Sequence, residues 1–172
     1  MGLSVPDAQL DLEGLRNRIK LIEARLEHNV VDLLRSQNVR MMQGTARLKG
    51  PHEIVVDTPE GVREIEADAI LLSTGSRPRI PDWAKVDGDR VLTTRDAYPP
   101  NEMPEHLVVI GSGVTGVEFV HMFSSLGSRV TLIVSRQQVL PQKDPEVAAA
   151  LESELLRRGV QLFKGARAEG IE

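Results

Sequence analysis

The residues of this chain whose types and spacing can do chemistry are Gly111-Ser112-Gly113-Val114-Thr115-Gly116. Three glycines at this interval suit a dinucleotide pyrophosphate, each for a different mechanical reason. Gly111 permits a tight turn, Gly113 lets the backbone approach the phosphates, and Gly116 lets a following helix pack close to the preceding strand. The N–H groups at the start of such a helix, backed by its dipole, then face the anion. Glycines alone would equally mark a turn in any α/β protein, so the flanking sequence has to decide.

It supplies the right elements. Leu107 to Ile110 is a short apolar run of the kind that forms a parallel strand buried on both faces. Val117, Val120, Met122, Phe123 and Leu126 fall at helical spacing, and Gly127 stops them. Val130 to Val134 is a second, β-branched strand. In such a unit the end of the second strand reads the adenosine ribose, with an acid for NAD and an arginine for NADP. Here the acidic position is Val134, followed by Ser135 and Arg136. No carboxylate opposes a 2′-phosphate and one arginine is available, which allows NADPH without excluding NADH. Beyond a loop, Asp144 is placed as a helix cap, Pro145 sits in the first turn, and Gly159 follows the end of the helix. Val160 to Lys164 then makes a third strand, and all three strands are expected to run parallel with right-handed crossovers.

Upstream, Leu12, Leu15, Ile19, Ile22, Leu26, Val30 and Leu33 mark a long amphipathic helix from about Asp7 to Gln37. Packing on a sheet is the favoured reading of its stripe, and a coiled-coil seam the rival. Val39 to Met42 reads as a short strand. Arg47 to Lys49, His52 to Asp57 and Val62 to Glu66 read as antiparallel strands, with turns at Gly50-Pro51 and Pro59-Glu60-Gly61. Asp68 to Ser73 is expected to be a buried strand running into Thr74-Gly75-Ser76. Prolines at 78, 81, 99, 100 and 104 mark a connection between two parts.

Composition narrows the function classes. The 172 residues carry a net charge of −4, with 41% hydrophobic residues, the profile of an ordinary globular protein. Nothing in that balance points to nucleic acid or an anionic membrane as partner. No apolar run reaches the length of a membrane span, and the N-terminus lacks the regions of a signal peptide. Met1-Gly2 invites a myristoylation reading, but Pro6 stands where Ser or Thr is wanted. With no cysteine, the chain has no thiolate nucleophile, disulfide or Cys-ligated zinc, and the cytoplasm is the default location. His28, His52, His106 and His121 lack metal-ligand spacing and read as structural or solvated, so no metal site is expected.

Two motifs together carry a family resemblance. ILLSTGSRPRIP, followed by VVIGSGVTGVEFV, with VLTTRDAY before the second and VQLFKGARAEG after it, resembles the flavoprotein pyridine nucleotide-disulfide oxidoreductases. Within that family the wording is similar to actinobacterial NAD(P)H quinone reductases and to dihydrolipoamide dehydrogenases. The resemblance covers nearly the whole chain. It implies an α/β fold: a Rossmann-like parallel-sheet unit for NAD(P), plus part of an FAD domain with the long helix and a small antiparallel meander. The implied division is residues 1–80 for the later part of an FAD-binding domain, 81–104 for the connection and 105–172 for the NAD(P)-binding domain. The implied activity is hydride transfer from NAD(P)H to FAD and onward to a quinone or disulfide acceptor, in a homodimeric whole enzyme. Dihydrolipoamide dehydrogenase or soluble transhydrogenase is the alternative within the enzyme class. A non-catalytic nucleotide-binding or helix-mediated assembly module is the alternative outside it.

Site residues follow from the same resemblance. Gly111, Ser112, Gly113, Val114, Thr115 and Gly116 correspond to the NAD(P) pyrophosphate loop, with Ser135 and Arg136 at the adenosine end. Glu118, expected on the first turn of the helix, corresponds to an acid near the junction of flavin and nicotinamide. Ala46 corresponds to the backbone position that meets the FAD adenine, and Thr74, Gly75 and Ser76 to the turn beside the flavin nucleotide. The family's first glycine-rich loop, its redox cysteine pair and its His–Glu acid–base pair have no counterpart in these residues, so no catalytic residue is assigned. The resemblance thus implies an internal piece of a larger enzyme. By itself that piece is expected to hold FAD poorly, to turn over little, and to retain at most weak NAD(P)H binding.

Overall fold

The structure, a computed structural model, describes residues 10–171. The expected helix start at Asp7, the Met1–Pro6 segment and Glu172 lie outside the described residues. The chain divides into two compact units, one of residues 17–77 and the other of residues 78–171 with the stretch through Arg16.

In the first unit, β1 (Thr45–Leu48), β2 (Glu53–Thr58) and β3 (Gly61–Glu66) form an antiparallel meander in that order. Its register pairs Ala46 with Val56 and Val55 with Glu64. The β2–β3 turn is closed by Thr58 Oγ1, which donates to the Gly61 carbonyl at 2.7 Å. Gly61 there adopts φ +121, a conformation that disfavours residues with a Cβ. Val55 and Val56 point to opposite faces of the sheet and both are buried. These three strands match the meander read from the sequence to within two residues at each end.

Helix α1 (Leu12–Ser36) forms as its periodicity requires, but none of its residues is buried. Leu21, Leu26, Val30 and Leu33 are exposed, so the expected packing on a sheet is not met. A stripe establishes that a helix has an apolar face and leaves open which surface covers it. Two further expectations are corrected. Neither 39–42 nor 68–73 forms a strand, and Leu71 is 90% exposed. Apolar and β-branched side chains favour a strand only where a ladder partner accepts its N–H and C=O groups. Neither segment has such a ladder among the described residues.

The second unit is the parallel one. It runs β4 (His106–Ile110), α2 (Val114–Ser125), β5 (Arg129–Val134), α3 (Pro145–Arg157) and β6 (Gln161–Lys164). Its sheet has the order β4-β5-β6, parallel throughout, pairing Ile110 with Ile133 and Thr131 with Gln161. The central strand β5 contributes Val130, Leu132 and Val134 to the core. Helix α2 adds Val120 and Phe123, α3 adds Ala148 and Leu155, and Val139 and Val160 join from the loops. Each large side chain buried this way contributes about 1.5–3 kcal/mol. Helix α3 starts as its sequence specifies: Asp144 Oδ1 accepts the N–H groups of Glu146 (2.9 Å) and Val147 (3.3 Å), with Pro145 in the first turn. It ends at Gly159, whose φ is +85.

The connection ahead of β4 is ordered by local carboxylates. Asp87 Oδ1 accepts the N–H groups of Asp89, Arg90 and Val91 at 2.8–2.9 Å, and these bonds hold its carboxyl below the usual range. Asp96 accepts the N–H and the hydroxyl of Thr93. At the start of α1, the Arg16 guanidinium donates to the Pro100 carbonyl at 2.9 and 3.1 Å and to the Asn101 carbonyl. Among the described residues, no helix is long and apolar enough to cross a membrane. The parallel unit with its helices, together with the antiparallel meander, is the fold class read from the sequence.

Candidate functional site

The site lies where strands β4 and β5 end. Ile110 passes into Gly111 at φ +111, a left-handed value that glycine adopts without strain. The chain then turns through Ser112, which is buried, into Gly113, the residue just before the first turn of α2. No side chain caps this helix. The first bond into the helix is the Val117 N–H to the Gly113 carbonyl at 3.1 Å. Its leading amides are therefore directed out of the end of the helix, with the positive end of the dipole behind them.

Gly111 and Gly116 act on the backbone as their spacing anticipates. A Cβ at Gly116 would stand 2.0 Å from the Gly111 carbonyl oxygen, so the close approach of α2 to the strand requires glycine there. Gly113 is different. Its φ of −69 suits any residue, and a Cβ on it would meet nothing within 4 Å. Neither backbone conformation nor packing demands glycine at 113, and the open space beside it is room for a ligand that approaches the backbone. A groove of about 390 Å³ borders this turn, lined by Thr93, Ala97, Val108, Ile110, Gly113 and Thr115.

Ser135 and Arg136 follow directly on β5, and both are exposed. The Arg136 carbonyl accepts the Gly165 N–H at 2.9 Å, and Leu140 N–H donates to the Ser112 carbonyl at 2.8 Å. The loop after β5 is thereby tied to the glycine turn. A hollow of about 370 Å³ lies along it, lined by Arg136, Gln137, Gln138, Pro141 and Gln142. The structure thus brings Gly111–Gly116 and Ser135–Arg136 to one end of the parallel sheet.

The other candidate residues are placed differently. Glu118 is not on the first turn: α2 begins at Val114 immediately after the glycine turn, so its first turn carries no acid and Glu118 stands in the next, exposed. Ala46 is on β1, an edge strand of the meander, opposite Val56. Thr74, Gly75 and Ser76 lie in the same unit, outside any regular element, with Gly75 at φ +73. The histidines bind backbone or neighbouring side chains: His52 the Ala67 carbonyl, His106 the Thr131 hydroxyl, His121 the Arg158 guanidinium, His28 the Asp32 carboxylate. No cluster of metal-ligating side chains occurs among the described residues.

One feature of the site escaped the sequence reading. Glu152, on α3, is 8% exposed. Its Oε1 accepts the Val139 N–H at 2.9 Å, and its Oε2 accepts Lys164 Nζ at 2.7 Å. Burial alone would push this carboxyl up, but the bonds from Lys164 and Val139 outweigh it and hold the group below its ordinary range. The signal was present in the sequence as an acid in phase with Ala148 and Leu155 on the buried stripe of a helix, a position that calls for partners.

Comparison with known sequences decides the family. A sequence profile of the pyridine nucleotide-disulphide oxidoreductases matches residues 5–172. The chain belongs to this family. Among its members, an NAD(P)H dehydrogenase (quinone) from Mycobacterium tuberculosis is 38% identical over 172 residues, covering 96% of this chain and 35% of its own. A dihydrolipoyl dehydrogenase from Zymomonas mobilis is 33% identical, covering 94% of this chain and 35% of its own. Solved structures agree. The crystal structure of LpdA from Mycobacterium tuberculosis superposes with a TM-score of 0.81 at 38% identity, over 95% of this chain and 37% of that one. The HOCl-induced flavoprotein disulfide reductase RclA from Escherichia coli gives a TM-score of 0.69 at 25% identity, over 93% and 36%. The chain therefore spans little more than a third of the length of these relatives.

Proposed function

We propose that this chain supplies the pyridine-nucleotide site, and one side of the flavin site, of an enzyme that passes hydride from NAD(P)H to FAD and on to a quinone or disulfide acceptor. In this reading residues 105–172 bind NAD(P), residues 1–80 belong to the FAD-binding domain and 81–104 connect them. The observation that carries it is Gly113, a glycine demanded by neither conformation nor packing, at an uncapped helix start with open space beside it. A pyrophosphate fits that description: its oxygens accept the leading N–H groups of α2 and come close to a backbone without a Cβ.

The roles of the residues follow. Gly111 turns the backbone so that the amides from Gly113 to Gly116 converge on the phosphates, and Gly116 keeps α2 seated on β4. Ser135 and Arg136 receive the adenosine ribose, with the guanidinium available to a 2′-phosphate. Glu118 lies further along α2, toward the nicotinamide. On the flavin side, Ala46 and Thr74–Ser76 offer backbone groups; a Cβ at Gly75 would meet nothing within 4 Å, which leaves room for a nucleotide against it. Bound FAD would supply the hydride-accepting chemistry, and the protein's part is to hold the nicotinamide in line with it. The quinone relative at 38% identity favours a quinone as final acceptor over the lipoyl disulfide of the relative at 33%.

Titration of NADPH and NADH into the 172-residue chain, followed by nicotinamide fluorescence, tests the reading. Saturable binding that ADP-ribose displaces and adenosine does not is the expected result. Absence of saturation at millimolar coenzyme would remove the nucleotide assignment. A flavin absorbance spectrum of the purified chain, and of the chain mixed with FAD, checks the flavin side.

A further inference from the structure

We propose that Glu152 and Lys164 are positioning residues for the adenosine end of the nucleotide. As a half-buried ion pair they hold the loop 135–143, and with it Ser135 and Arg136, against the glycine turn. The inference rests on the assignment of that loop to the nucleotide made above, and it concerns residues that do not themselves touch the ligand.

The loop is built from few anchors. Val139 is its only residue buried to 0% exposure among those described, and it plugs into the core formed by α2, β5 and α3. Sinking Val139 also sinks its N–H, which lies outside any helix or strand and so needs an acceptor from elsewhere. Glu152 Oε1 provides one at 2.9 Å. A carboxylate at 8% exposure is costly unless its charge is balanced, and Lys164 at 2.7 Å balances it. Lys164 is the last residue of β6, and the next residue, Gly165, donates its N–H to the Arg136 carbonyl. The same pair thus reaches the loop from two sides, through Val139 and through the strand end beside Arg136. Leu140, next to Val139, holds φ +48 and donates to the Ser112 carbonyl at 2.8 Å. Freeing Val139 would release Leu140 from that strained conformation and loosen the link between loop and phosphate turn.

The consequence is selective. Contacts to the pyrophosphate come from α2 and the glycine turn, while contacts to the ribose 2′ position come from the loop. Loss of the pair should weaken NADPH more than NADH. The test is titration of both coenzymes into the wild-type chain and into Glu152→Ala, Glu152→Gln and Lys164→Met, with hydrogen exchange measured at the Val139 amide. For Glu152→Ala we expect the NADPH Kd to rise about tenfold and the NADH Kd by about threefold or less, with fast exchange at Val139. Glu152→Gln keeps an oxygen for the Val139 N–H, so it should recover most of the NADPH affinity and the slow exchange. A purely structural role would weaken both coenzymes in proportion. An unchanged NADPH to NADH ratio, or Val139 exchange that stays slow in Glu152→Ala, overturns the proposal. If Glu152→Ala does not fold, Lys164→Met, which keeps the Glu152 oxygen for the Val139 N–H but removes the charge that balances it, carries the coenzyme expectation alone, and an unchanged NADPH to NADH ratio there overturns the proposal. Failure of the wild-type chain to bind either coenzyme would sink the nucleotide assignment and this proposal with it. Binding with an unmoved ratio sinks this proposal alone.

Discussion

A Cβ at Gly116 would stand 2.0 Å from the carbonyl oxygen of Gly111 and 3.7 Å from Cγ1 of Val109. Helix α2 therefore rests on the backbone of the turn itself, and the turn cannot keep its shape if the helix moves away. Gly113, between the two, makes no such demand on the fold.

The two positions should separate fold from ligand. Gly116→Ala forces α2 off the turn at a cost of about 1–3 kcal/mol and lowers the melting temperature by several degrees. Gly113→Ala should melt like the wild type yet lose coenzyme binding, because its methyl occupies space that only a ligand would fill. Differential scanning calorimetry beside a fluorescence titration reads both. Undiminished binding by Gly113→Ala would place the phosphates elsewhere.

Coenzyme preference is expected to depend on Arg136. Arg136→Ala should raise the NADPH Kd about tenfold, the loss of one charge-assisted contact, and leave NADH within about twofold. Isothermal titration at fixed ionic strength decides it, and equal losses for both coenzymes would take the arginine away from the 2′-phosphate.

Acid stability has a local marker in Glu154. Side-chain bonds from Arg157, then from Arg158, hold its carboxyl at about 2 against an ordinary 4.5. A depressed carboxylate stabilises the fold fully above its unfolded pKa and loses that contribution as pH falls through the folded one. The window is thus from 4.5 down to about 2. Glu154→Gln should shift the acid unfolding midpoint upward in circular dichroism. Because the group is open to solvent, the difference should shrink in high salt. A salt-independent difference would contradict a surface ion pair.

Leucines at two places should behave oppositely. Leu132, at 0% exposure in the centre of the parallel sheet, should cost about 2–5 kcal/mol when cut to alanine. Leu26, 58% exposed on α1, should cost less than about 1 kcal/mol. Urea denaturation of the two variants measures the contrast.

These expectations draw on features that differ in how far the sequence alone reveals them. The glycine turn, the cap of α3 and the meander are local: Gly111 and Gly116, or Asp144 and Glu146, are near neighbours along the chain, so spacing reports their geometry. The segments 39–42 and 68–73 show the limit. Their side chains favour strands, but a strand exists only with a partner, and partnership is not a local property. The stripe of α1 failed in the same way, being correct as a helix and silent about its cover. Glu118 stands beyond the first turn of α2, where its spacing suggests the first, because a helix start is set by backbone angles at the cap and α2 starts at once after Gly113. Glu152, Val139 and Lys164 are 12 to 25 residues apart, which follows from their numbers along the chain, and no spacing rule joins them.

The meander joins its strands through loops of a few residues, whereas each strand of the parallel sheet must wait for a whole helix before it meets its neighbour. Closing short loops costs less entropy and is faster, so the order of assembly is set by connectivity. The antiparallel strands should form first, as a hairpin pair, on the microsecond scale of such elements. The nucleotide-binding sheet should appear only when the crossovers close. In pulse-labelled hydrogen exchange the amides of β2 should gain protection before those of β5. A chain emerging from the ribosome would then carry a finished meander while the glycine turn was still unformed.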